Sequence, residues 1–98
     1  MERKQLESYR SMKREIQELN TLIRLGECNL QGKYYKKRIH ALQKECNAIE
    51  KYVEDIEDSL IRRIFRMYYL EGKTQREIAR LIHMDRSTVS RKLNTPAR

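Results

Sequence analysis

The sequence predicts an all-α protein: an N-terminal antiparallel helical hairpin of coiled-coil type, followed by a three-helix domain of the helix-turn-helix kind. Three observations carry that expectation. Apolar residues recur at alternating three- and four-residue intervals over most of the first 58 positions, which is the period of a coiled-coil seam and not of a strand. Gly and Pro are scarce, and the single Pro is Pro96, so no interior position is closed to helix by proline. Charged residues make up 37% of the chain and aromatics 7%, with no Trp. That composition is too polar for a large spherical core and suits elongated helices.

The first helix is expected over residues 1–25. Tyr9, Ile16 and Ile23 lie seven apart, with Met12 and Leu19 between them, giving the a/d alternation of a seam. Leu6 and Leu22 widen its apolar face. Gly26 then arrives where a left-handed residue closes a helix, and Asn29 and Gly32 make residues 26–32 a loop. The second helix begins near Lys33. Tyr35, Ile39, Leu42, Cys46, Ile49, Val53 and Ile56 hold a 4-3-4-3-4-3 spacing, a heptad seam kept for three repeats. Both helices are roughly 35 Å long at 1.5 Å per residue. A short loop between two equal amphipathic helices favours an antiparallel hairpin. One hairpin has a thin core, so the seam and the off-seam residues Leu6, Leu22 and Tyr34 are expected to pair with a second copy. The expected state is a homodimer.

The seam runs into an acidic cluster, Glu54, Asp55, Glu57 and Asp58. Asp58 or Ser59 can cap a new helix there. Ile61, Ile64, Phe65 and Tyr68 share one of its faces at i, i+3, i+4 and i+7, and Gly72 ends it. The charge changes at the same point. Residues 1–58 hold 12 Lys/Arg against 11 Asp/Glu, whereas residues 59–98 hold 10 against 3. The expected domains are therefore 1–58, a hairpin for oligomerisation, and 59–98, a basic unit suited to a polyanion.

Within that unit Thr74 and Glu77 form a T-x-x-E capping box opening a helix. Ile78, Ala79, Leu81 and Ile82 supply its apolar side, and the small Ala79 permits close approach of the next helix. His83 and Met84 make the turn, with Met84 directed inward, and Asp85 can cap the last helix. Setting Val89 and Leu93 inward turns Ser87, Thr88, Arg91 and Asn94 outward, with Arg86 and Ser90 on the flanks. Arg86, Ser87, Thr88, Ser90 and Arg91 can then reach base edges, Arg suiting guanine and Ser or Thr several bases. Lys73, Thr74, Arg76, Arg80 and Lys92 are placed for phosphates, helped by the first amides of the helix at Thr74.

Other chemistries find little support. Cys28, Cys46, His40 and His83 contain no pair at local metal-ligand spacing, so no metal site is expected; Cys46 belongs to the seam, where a buried thiol packs. His83, Asp85 and Ser87 cluster in sequence but lie on a turn and a helix start, without the pocket and oxyanion donors of a hydrolase. No enzyme activity, cofactor or small-molecule substrate is expected. The N-terminus has no apolar signal region and no run approaches a membrane span, which makes the expected location cytoplasmic. Tyr34-Tyr35-Lys36-Lys37-Arg38 is a basic-aromatic run that could touch nucleic acid, or simply a helix start with one buried Tyr.

The run from Tyr69 to Leu93, YLEGKTQREIARLIHMDRSTVSRKL, resembles the helix-turn-helix of sigma-factor region 4 and its relatives. Among these, small phage-encoded transcriptional regulators of the ArpU and RinA type are similar in joining upstream helices to such a unit. The shared pattern covers about residues 59–94. The resemblance implies that Arg86, Ser87, Ser90 and Arg91 face the major groove while Thr74 and Arg76 meet the backbone. His83 departs from the pattern, standing at a turn position usually held by Gly. The function expected is a dimeric, sequence-specific regulator on double-stranded DNA. Two competitors share the layout: a DNA-packaging recognition subunit of the phage small-terminase kind, and a coiled-coil adaptor whose C-terminal unit binds RNA polymerase.

Overall fold

A computed structural model describes residues 1–26 and 32–94 of the chain. Those residues are all helix, turn or irregular, with no strand among them. The chain forms two compact units, Glu2–Ile49 and Glu50–Arg98.

The first unit holds α1 (Arg3–Glu7), α2 (Tyr9–Arg24) and most of α3 (Gly32–Glu54). The expected first helix is thus in two pieces, parted at Ser8. The Ser8 hydroxyl donates to the Gln5 carbonyl at 2.7 Å, and a hydroxyl bonded one turn back bends a helix. Gly26 closes α2 at φ +71°, its amide donating to the Ile23 carbonyl at 3.1 Å. The expected turn-former Asn29 and the thiol Cys28 lie outside the described residues. The chain reverses between α2 and α3: Arg38 Nε donates to Glu15 Oε2 at 2.7 Å, whereas 23 residues of continuous helix would hold the two roughly 35 Å apart. This pair depresses the Glu15 carboxyl through the hydrogen bond from Arg38.

Burial follows the seam but fades toward the loop. Tyr9, Met12, Ile16, Leu42, Cys46 and Ile49 are buried. Leu19, Ile23, Tyr35 and Ile39, the seam residues nearest the loop, are only half-buried. Leu6, expected on the outside, is buried, while Tyr34 is 66% exposed.

The second unit begins with the last turn of α3, which buries Val53. The heptad spacing carries helix through Ile56, but α3 stops at Glu54. Ile56 is buried from the connecting turn, its carbonyl accepting from Arg62 Nη1 at 2.8 Å. Asp58 Oδ1 accepts from the Ile61 amide at 3.0 Å and caps α4 (Ser59–Phe65). Arg66 Nη2 reaches back to Glu54 Oε1 at 2.9 Å.

Beyond α4 the helix widens into a single π turn, Arg66–Leu70, with the Glu71 amide on the Arg66 carbonyl at 3.0 Å. An i→i+5 bond places one more residue in the turn than an α-helix holds. This corrects the expected face. Tyr68 is half-buried, and Met67 and Tyr69 take the inward positions after Ile61, Ile64 and Phe65. Tyr69 meets the Phe65 ring edge-on at a centroid distance of 5.4 Å. Gly72 at φ +74° ends the helix, and the Lys73 amide donates to the Met67 carbonyl at 2.9 Å. Then come α5 (Gln75–Ile82) and α6 (Arg86–Leu93), packed on one another, with α6 also against α4. Ile78, Val89 and Ile64 have no exposed surface.

Candidate nucleic-acid interface

The start of α5 is fixed by its sequence. The Glu77 amide donates to Thr74 Oγ1 at 3.1 Å and the Thr74 amide donates to Glu77 Oε1 at 3.2 Å, the reciprocal closure of a capping box. The bond from the Thr74 amide, followed by that with its side chain, holds the Glu77 carboxyl below its ordinary value. The carboxylate is therefore charged at neutral pH and already occupies the Thr74 amide, so that amide is not open to a phosphate. Phosphate contact at this end falls to Arg76 and Arg80, one turn apart and both exposed. Lys73 sits half-buried, with its ammonium 2.7 Å from Glu71.

The turn between α5 and α6 hinges on His83, at φ 56° and ψ 44°, the one non-Gly residue with positive φ among those described. The Met84 amide donates to the Ala79 carbonyl at 3.0 Å across it. His thus fills the left-handed position itself, and the turn keeps the short form that Gly would give, running from His83 to Asp85. A Cβ in this region costs about 1–2 kcal/mol, against roughly 0.5–1 kcal/mol of extra chain entropy for Gly. His83→Gly should therefore stabilise the unit by about 0.5–1 kcal/mol, raising Tm by a few degrees, on the order of 4–8 °C per kcal/mol. Thermal unfolding by circular dichroism measures this, and a lower Tm would contradict it.

Two expectations for this region are overturned. Met84 does not point inward but is 39% exposed, and Leu81 is 52% exposed. The left-handed step at His83 swings the chain out before Met84. Leu81 lies about 110° around the helix from the centre of the Ile78, Ala79 and Ile82 stripe, so it cannot share their face. Asp85 holds the N-cap position of α6, yet its side chain makes no cap hydrogen bond.

On α6 the inward pair is Val89 and Leu93, both buried. Arg86, Ser87, Arg91 and Asn94 are exposed, and Thr88, Ser90 and Lys92 are half-buried. Arg91 Nη2 donates to Thr88 Oγ1 at 3.3 Å, bringing two of the expected base-reading residues together one turn apart. Arg62 and Arg66 are both engaged within the fold, whereas Arg63, Arg76, Arg80, Arg86 and Arg91 are exposed, solvent-facing cations among the described residues from α4 onward. The exposure of the apolar residues Leu81 and Met84 was missed in the sequence, although the angular position of Leu81 carried the signal.

Among the described residues no group of three or more His, Cys, Asp or Glu could hold a metal ion, and no helix is long and apolar enough to cross a membrane. Residues 62–94, a third of the chain, match the family model for sigma-70, region 4. No curated protein and no solved structure matches the chain significantly. The matched span holds most of α4, the π turn, α5 and α6, and is similar to the helix-turn-helix of sigma region 4, a kind of unit that binds DNA.

Proposed function

We propose that the protein is a sequence-specific regulator of transcription that lays α6 in the major groove of double-stranded DNA. One observation carries this reading. The face of α6 opposite Val89 and Leu93 presents Ser87 and Arg91 to solvent, with Arg86 exposed at the flank of its first turn, on a unit that resembles sigma region 4. Arg86, Ser87, Thr88, Ser90 and Arg91 read base edges; Arg76 and Arg80, with Lys92 at the margin, hold the backbone, while Glu77 occupies the Thr74 amide and Glu71 the Lys73 ammonium. Residues 59–98 bind DNA and residues 1–58 set how many copies do so. The regulator acts in the cytoplasm as a homodimer, of phage or prophage kind like the ArpU and RinA regulators. Since much of the seam is already buried within the chain, the dimer contact draws on its half-exposed end, Leu19, Ile23, Tyr35 and Ile39, with the off-seam Leu22 and Tyr34.

Selection of bound sites from random duplex DNA tests the proposal. The expected result is a preferred palindrome, whose half-site spacing measures the separation of two copies of α6. Recovery of no preferred sequence would overturn it. Arg76→Ala should weaken binding to every duplex alike and lower the slope of log K against log salt by about one. A change of base preference in that variant would contradict its assignment to the backbone.

The exposed pair Leu81 and Met84 favours a second reading, in which the unit docks on a protein such as RNA polymerase. Binding to polymerase with no salt-sensitive shift of DNA would select it. The packaging-subunit reading requires a ring of many copies, which native mass spectrometry would reveal.

A further inference from the structure

The near-neutral charge of the hairpin conceals a segregation. From Lys33 to Lys44 the chain contains Lys33, Lys36, Lys37, Arg38, His40 and Lys44 and no Asp or Glu. This stretch is the first half of α3, whose seam residues Ile39, Leu42, Cys46 and Ile49 define the inward side. Lys33, Lys37, His40 and Lys44 lie within about 40° of the line opposite that seam, and all four are exposed. Arg38 is on the flank, held by Glu15, and Glu45 lies on that same flank, near enough for its charge to act on Arg38. No ion pair engages Lys33, Lys37 or Lys44 among the described residues.

A solvated helix face usually mixes signs, since Glu and Lys four apart support one another. Here Lys33 and Lys37 are like charges four apart, which destabilises a helix. Cations in the first turns also oppose the helix dipole, and α3 has no acidic residue in its first turn. The arrangement weakens the hairpin by itself and is relieved by an anion along its outer face. Lys33 to Lys44 spans about 17 Å, the axial rise of about five nucleotides on one strand.

We propose that the outer face of α3 is a second, sequence-independent DNA-binding surface, with Lys33, Lys37 and Lys44 on backbone phosphates. The occupant follows from the DNA-binding reading above, and the lysine face adds the positions on the hairpin that meet it. The test combines Lys33→Gln, Lys37→Gln and Lys44→Gln in the full chain, with the matching Lys→Arg triple as control and circular dichroism to verify helix content. Binding to a labelled random-sequence duplex is followed by anisotropy from about 50 to 200 mM salt. The Gln triple should lower the salt slope by about two to three, at roughly 0.9 per phosphate contact, and the Arg triple should restore it. The ratio of affinities for a selected site and random duplex should stay unchanged. A wild-type slope in the Gln triple would overturn the proposal, as would loss of binding to phosphatidylserine vesicles with duplex binding intact. Failure of the groove assignment looks different: no preferred site exists, while the slope still falls in the Gln triple.

Discussion

Ile78→Ala should destabilise the C-terminal unit by about 2–5 kcal/mol, the range for truncating a fully buried aliphatic side chain where neighbours relax only in part. Ile78 has no exposed surface and sits on α5, which packs against α6. A domain's whole stability is commonly about 5–15 kcal/mol, and a unit this small has less core than most. The expected result is loss of the cooperative unfolding transition, or its displacement to much lower urea, with DNA binding lost in parallel. Leu81→Ala, three residues on and 52% exposed, should change stability by less than about 0.5 kcal/mol. Equal effects of the two substitutions would contradict the orientation of α5.

Arg91→Ala should cost about 1–3 kcal/mol on the preferred site, concentrated at one base pair, and relax the preference there. Random duplex should bind almost as before. The guanidinium is presented by an exposed face and steadied by Thr88, 3.3 Å away, so its fork is partly oriented before DNA arrives. Arg91→Lys keeps the charge but not the fork, and should therefore behave like Ala on the preferred site and like the wild type on random DNA. Competition binding of the three proteins against single-base variants of the site measures this directly. Equal losses on both kinds of DNA would move Arg91 from the base edges to the backbone.

The parts of the fold that follow from local chemistry were legible in the sequence. The Thr74–Glu77 box, a cap at Asp58 or Ser59, the glycine closures at Gly26 and Gly72, and the inward Val89 and Leu93 depend on a few adjacent residues; the structure has each of them, with Asp58 as the cap. His83 also falls at the left-handed position, where His is better tolerated than most residues. What escaped was whatever breaks a constant period. Ser8 interrupts the first helix, Ile56 continues a heptad rhythm after the helix has stopped, and the π turn moves the inward position from Tyr68 to Tyr69. A periodic reading assumes an unchanging angle per residue and is blind to these. Of the candidate site, α6 could be laid out residue by residue because its inward pair is unambiguous. The phosphate end could not, because the engagement of the Thr74 amide by Glu77 and of Lys73 by Glu71 depends on side-chain geometry.

The π turn also governs how this chain can be set beside others. It holds one more residue than a regular helix of the same rise, so a relative with plain α-helix there is one residue shorter between Phe65 and Gly72. Aligned without a gap from Phe65 onward, such a relative would pair its core aromatic with Tyr68, and every position downstream would be compared one step out of phase. A single-residue gap inside Arg66–Leu70 restores the correspondence, because a π turn accommodates one extra residue by widening the helix locally.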